Sequence, residues 1–174
     1  MNSTTSKNET MIAEALGTWL DALEGGEPEA PDIQLMAHLI GRDMGFRDAC
    51  LISALGDSMK TDELMDIAMA RRDPKGRAKT VMSELFHSPA GPDRARTVKA
   101  NNMLMRMEYE AKQVYDGSAV ATCLAGIAFI YWLSGFEQQG LKRACRALEI
   151  MPDNNLAGMV CAAVLSGVKP ARNR

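Results

Sequence analysis

The chain has 174 residues, 47% apolar and 24% charged, so a single domain can bury its own core and needs no disulfide or metal staple. Its longest apolar run, residues 119–133, falls short of the roughly 20 residues that span a bilayer, which excludes a membrane helix. The net charge of −2 conceals two opposed halves: residues 1–69 carry 13 acids and 4 bases, residues 70–174 carry 16 bases and 9 acids. Either the halves attract each other, within one fold or head to tail between copies, or the second half offers a basic surface to an anionic partner.

No segment alternates apolar and polar residues over a strand's length, whereas 3.6-residue spacing recurs throughout, so the expected fold is all-α with about eight or nine helices in one compact domain. Residues 1–9 read as a disordered lead-in without a secretory signal, 10–168 as the domain and 169–174 as a basic tail. The first helix is predicted from Thr10 to Glu24 and stopped by Gly25 and Gly26. A second starts at Pro31 and Asp32, a third covers "FRDACLISALG", and a fourth is capped by Thr61 and ended by Pro74 and Gly76. A short helix over Arg77 to Phe86 precedes the loop "HSPAGP", and a long one runs from Asp93 to about Tyr115, stopped by Asp116 and Gly117.

Ser118 is expected to cap the apolar helix over 119–134, Gly135 to supply a turn, and Pro152 to stop the helix over 136–151. Asp153 or Asn154 then caps a closing helix. This hairpin resembles one tetratricopeptide unit, with small Ala128 and Ala147 at the helix approach, Tyr131 between them, Gly135 at the turn and Pro152 at the end. Gly140, Ala144 and Leu124 depart from that pattern, and no second copy precedes it. Since arrays need about three units to bury their faces, the hairpin is a packing device within one domain.

"FRDACLISALGD" and, far downstream, "YWLSGFEQQGLKRACRALEIMPDNNLAGMVCAAVLSGVKP" together resemble the C-terminal helical part of the actinobacterial "domain of unknown function forty-one ninety-two" family. The matching positions are Arg47 and Asp48, Gly135, Ala147 and Leu148, Pro152, Leu156 and Ala157, and Gly167 to Pro170, within residues 33–170. The family's N-terminal half has no counterpart here, and Met and Asn are more frequent than in the Ala- and Arg-rich family norm, which fits a stand-alone or a mobile-element version. The resemblance implies an all-helical, cytoplasmic protein and carries no mechanism.

Candidate sites are few. Arg47 and Asp48 form the most motif-like charged pair, with Asp48 expected to accept backbone N–H bonds at a helix start and Arg47 to pair with an acid such as Asp43. His38 and His87 are about 49 residues apart without a ligand pattern, and the four cysteines stand singly, so neither a metal nor a cofactor is expected and the reducing cytosol is the natural compartment. His38 is expected to be partly buried. No nucleophile elbow or phosphate loop is present.

The 13 methionines stand in for scarce aromatics, and "MLMRM" is expected to send Met103 and Met107 to the core and Met105 elsewhere. The strongest local charge is "ARRDPKGRAK", with Arg71, Arg72, Lys75, Arg77 and Lys79, joined by Arg94, Arg96 and Lys99 of "DRARTVK". These could contact phosphates, or could instead satisfy helix ends and pair with the acidic half. The expected function is non-enzymatic binding of a protein partner or a second copy; nucleic-acid association through 71–99 is the alternative, and an enzyme of unknown class the second.

Overall fold

The computed structural model describes residues 3–56, 58–69 and 77–171, with side chains from 7–56, 58–69 and 79–171. They form nine α-helices and no strand: α1 Ser3–Glu24, α2 Ala30–Ile40, α3 Met44–Leu55, α4 Thr61–Ala68, α5 Arg77–His87, α6 Arg94–Gln113, α7 Gly117–Leu133, α8 Glu137–Ile150 and α9 Asn155–Leu165. The first helix thus begins seven residues before the expected Thr10, and most of the segment read as a lead-in is helical backbone. At the other end Pro170 is buried and Lys169 pairs with Glu137 at 3.4 Å, so the expected tail is docked through its first residues.

α7 organises the bundle. Its sequence, GSAVATCLAGIAFIYWL, carries no charge, and fourteen of its seventeen residues are buried. Such a helix has no face to offer to water, so it is covered by α6, α8, α9, α2 and α3. Each buried Leu, Ile or Phe contributes about 1.5–3 kcal/mol, and α7 supplies Leu124, Ile127, Phe129, Ile130 and Leu133. α1 closes the opposite side through Leu16, Trp19 and Leu23 against α2, α3 and α6.

Met36, Met103 and Met107 are buried in the core while Met105 faces outward, as the spacing in "MLMRM" requires. Trp19 and Ser53, buried between α1 and α3, satisfy each other. Trp19 donates its indole N–H to Ser53 Oγ at 3.0 Å, and Ser53 Oγ donates to the Cys50 carbonyl at 3.0 Å.

Helix caps differ from several expectations in an instructive way. Asp43, not Asp48, caps α3 by accepting from the Phe46 N–H at 2.9 Å, and Arg47 pairs with the adjacent Asp48 at 2.7 Å, not with Asp43. Asp116, not Ser118, caps α7 through the Ala119 N–H at 3.1 Å; Ser118 donates its hydroxyl to the Gly41 carbonyl at 2.6 Å, joining α2 to α7. Lys60 precedes α4, and its N–H is taken by the Glu63 carboxylate at 3.0 Å, with Thr61 as the first helical residue. At α3 and α7 an acid three residues before the N–H accepts it, and at α4 the carboxylate reaches back from three residues after it. Asn154 caps α9 through the Ala157 N–H at 3.0 Å, and Gly135 turns the α7–α8 corner at φ +89°.

The expected approach of the hairpin helices is made by Gly140 of α8 against the Ala128 carbonyl of α7. A Cβ added at Gly140 would lie 2.9 Å from that oxygen and 3.2 Å from the Trp132 nitrogen. Gly17, on α1, has open space around its missing Cβ. Gly→Ala in a helix normally gains up to about 1 kcal/mol. Gly17→Ala is therefore expected to stabilise by about 0.5–1 kcal/mol, and Gly140→Ala to destabilise by about 1–3 kcal/mol because backbone must give way. Urea unfolding of both variants checks this; a stabilised Gly140→Ala would contradict the close approach.

Candidate functional site

The opposed charges meet inside one molecule, at the C-terminal end of α1. Lys99 donates its ammonium to the Leu23 carbonyl at 2.8 Å, and Arg96 donates to the Ser53 carbonyl at 3.1 Å and to the Glu24 carboxylate. Both cations sit where the last carbonyls of a helix lack partners and its dipole is negative. Arg106, also on α6, donates to the Pro28 carbonyl at 3.2 Å, fastening the α1–α2 connection. Of the basic residues singled out in the sequence, Arg96 and Lys99 are thus engaged in the fold, Arg94 and Lys79 are exposed, and Arg77 opens α5. Arg71, Arg72 and Lys75 lie outside the described residues, as do Pro74 and Gly76.

Arg47, whose motif partners lie a hundred residues downstream in sequence, lines a groove of about 150 Å³ with Arg42, Asp43, Met151, Asp153 and Asn155. The fold therefore brings the α2–α3 corner and the α8–α9 corner together. His38 is exposed instead of partly buried, and His87 is exposed with Nδ1 at 2.7 Å from the Ser83 carbonyl oxygen. Among the described residues no group of three or more His, Cys, Asp or Glu side chains is placed to hold a metal ion, and no helix is long and apolar enough to cross a membrane.

The corner between α6 and α7 exposes apolar side chains, as Met44, Phe136 and Leu165 do elsewhere on the surface. α6 carries Val98, Met105 and Tyr109 on its outer face, and the chain then leaves the helix through Val114 and Tyr115. Tyr115 is 95% exposed, Val114 71% and Tyr109 62%. Tyr115 also has φ +56°, the only non-glycine residue described with a positive value. The turn closes as helix ends with a left-handed residue do, with the Asp116 N–H donating to the Ala111 carbonyl at 2.9 Å. Glycine is the usual occupant, and a bulky side chain in that conformation costs on the order of 1–2 kcal/mol.

Beside this rim a cleft of about 220 Å³ opens between α2, α6 and the start of α7, lined by Ala37, His38, Glu110, Val114 and Asp116. Gln34 donates to Glu110 at 2.9 Å across it. Burial alone would raise the Asp116 pKa, but the hydrogen bond from Arg42, the Ala119 N–H and the charges of Arg42 and His38 outweigh it and hold the carboxyl below its ordinary 3.8. The sequence reading passed over Tyr109, Val114 and Tyr115. The available signal was the apolar pair Val114–Tyr115 at the end of a polar stretch, where a solvated helix terminus needs neither.

The fold and this corner define a class: an all-α bundle around one buried helix, with an aromatic and aliphatic rim held open at one end. Compared with family models, with curated proteins and with solved structures, the chain finds no match.

Asp116 both caps α7 and pairs with Arg42, so Asp116→Ala is expected to cost about 1–2 kcal/mol at neutral pH. A carboxyl whose folded pKa is depressed stabilises above its unfolded pKa and loses that contribution as pH falls through the folded value. The gap between wild type and variant should therefore be full above about pH 5 and close as pH falls below 3.8. Urea denaturation at stepped pH measures it; a gap that does not change with pH would contradict the assignment.

Proposed function

We propose that the chain is a helical binding module that works by contact with a protein partner and not by catalysis, and that the α6–α7 corner is its contact surface. The observation that carries this reading is Tyr115, held 95% exposed at a left-handed backbone position next to Val114 and near Tyr109. Two of the chain's three tyrosines, Tyr109 and Tyr115, are exposed on the last turns of α6 and the turn after it, although aromatic residues are otherwise scarce. Strain kept at an exposed position needs a reason outside the isolated fold, and tyrosine is enriched among residues that dominate binding energy at protein interfaces. The adjoining cleft of about 220 Å³ admits one side chain and is small for a drug-sized ligand, which favours a macromolecular partner.

Of the basic residues, Arg96 and Lys99 already serve the end of α1, which argues against those two as contacts for nucleic acid. Membership of the "domain of unknown function forty-one ninety-two" family is likewise a proposal. What supports it is the order of the matching positions along the chain, from Arg47 and Asp48 through Gly135 and Pro152 to Gly167 and Pro170.

The test is quantitative capture from nuclease-treated native lysate with the tagged full chain and with the Tyr109→Ala, Tyr115→Gly double variant. The variant should lose at least about tenfold in retention of the proteins that wild type holds, since two interface tyrosines are worth upwards of 1 kcal/mol each. Tyr115→Gly alone should leave the thermal midpoint unchanged or raise it, because the strained conformation suits glycine. Equal retention by variant and wild type would overturn the corner as the surface. Retention that disappears with nuclease, and with glutamate at Arg71, Arg72 and Arg77, would overturn the protein-partner reading in favour of nucleic acid.

A further inference from the structure

Four cysteines are present, all as free thiols, and they fall into two environments. Cys50 and Cys123 are fully buried in the core around α3 and α7, and burial pushes both thiols up. Cys145 on α8 is exposed, and its sulfur lies 3.8 Å from that of Cys161 on the adjacent α9. Of the four, Cys145 is the exposed thiol, and it faces the buried Cys161.

We propose that Cys145 and Cys161 are a redox site, a pair of thiols across the α8–α9 contact that a peroxide converts to an intramolecular disulfide and a dithiol reductant restores. The two sulfurs already touch, and closing to a bond of about 2.05 Å asks for a shift of under 2 Å shared between two side chains. Burial and the neighbouring Cys145 push the Cys161 thiol up to about 11, so the exposed Cys145 makes the first attack.

Its thiolate takes the near oxygen of hydrogen peroxide. The S–O bond forms, the O–O bond breaks, the sulfur loses two electrons, and the far oxygen leaves as hydroxide, which is protonated to water. Cys161 then gives up its proton and attacks the Cys145 sulfenic acid. The S–S bond forms, the S–O bond breaks, and the hydroxyl leaves as a second water, so two thiols and one peroxide give one disulfide and two waters. Thiol–disulfide exchange with a small dithiol returns both thiols.

The bridge would clamp α9 to α8 at the corner that also supplies Met151, Asp153 and Asn155 to the Arg47 groove. Cross-linking through a loop of this length is expected to raise the thermal midpoint by roughly 5–10 °C. Neither thiol belongs to the α6–α7 corner, so the inference stands whether or not that corner binds a partner.

The experiment treats the full chain with stoichiometric hydrogen peroxide, blocks remaining thiols and digests with trypsin. The sequence cuts after Arg143 and Arg146 and not again before Arg172, because Pro170 protects Lys169, so the bridge appears as 144–146 linked to 147–172. The expected result is that linked peptide in a chain about 2 Da lighter, monomeric without reductant, reversed by dithiothreitol, with Cys50 and Cys123 still alkylated under denaturant. Cys161→Ala should leave Cys145 as a sulfenic acid trapped by dimedone, and Cys145→Ser should abolish the reaction. Disulfide-linked dimers through Cys145, dimedone adducts on Cys145 in the wild-type chain at completion, or oxidation of Cys161 in Cys145→Ser would each overturn the proposal.

Discussion

A helix with no polar face must be covered on all sides, and meeting that demand for α7 shapes the rest of this molecule. Water would face about seventeen residues of charge-free helix, so burial of α7 is worth more than any single contact elsewhere. The cover has to come close. Gly41 meets the backbone at Ala119, Gly126 of α7 itself makes room for Leu51 and Leu104, and Gly140 lies against the Ala128 carbonyl. Side chains at these points would hold the neighbours off and open voids along the axis.

Covering α7 also decides where the charges go. α6 has to lie along α7, and in doing so its first turns carry Arg96 and Lys99 to the end of α1, where unpartnered carbonyls and Glu24 receive them. The buried carboxylate of Glu108, on the other flank of α6, is held by Lys112 and lies 3.8 Å from Arg143 of α8. Arg96 with Glu24 joins a base of the second half to an acid of the first, whereas Glu108, Lys112 and Arg143 all belong to the second half. What packing leaves over is the far end of α6, where Tyr109, Val114 and Tyr115 have no core to enter. That corner leaves apolar area exposed to solvent, as Met44, Phe136 and Leu165 do elsewhere.

The helices were legible in the sequence because their apolar spacing is the same physical fact as their burial. Met103 and Met107 inward and Met105 outward, the Gly135 turn and the all-helical class follow from periodicity and from glycine's tolerance of positive φ. Caps were less legible. Asp43, Ser118 and Asp116 each stand within three residues of a helix start, and which one accepts the first N–H depends on where the neighbouring helix presents a carbonyl, as Gly41 does for Ser118. At the corner the apolar pair Val114 and Tyr115 was legible but the backbone was not: Gly117 invites the left-handed turn, yet the positive φ falls on Tyr115. Nor did spacing show that Cys145 and Cys161, sixteen residues apart, would face each other, because that follows from how α9 folds back on α8.

If α7 is the axis on which every other element depends, the protein opens as one unit, not as an N-terminal and a C-terminal part. Native-state hydrogen exchange on the free chain is the most direct test. The account predicts that amides of α7 and of the inner face of α6 exchange only by global unfolding, with the same free energy and denaturant slope as the cores of α1 and α3. Exchange of α1 to α4 in a separate, less costly opening that leaves α6 to α9 protected would contradict it.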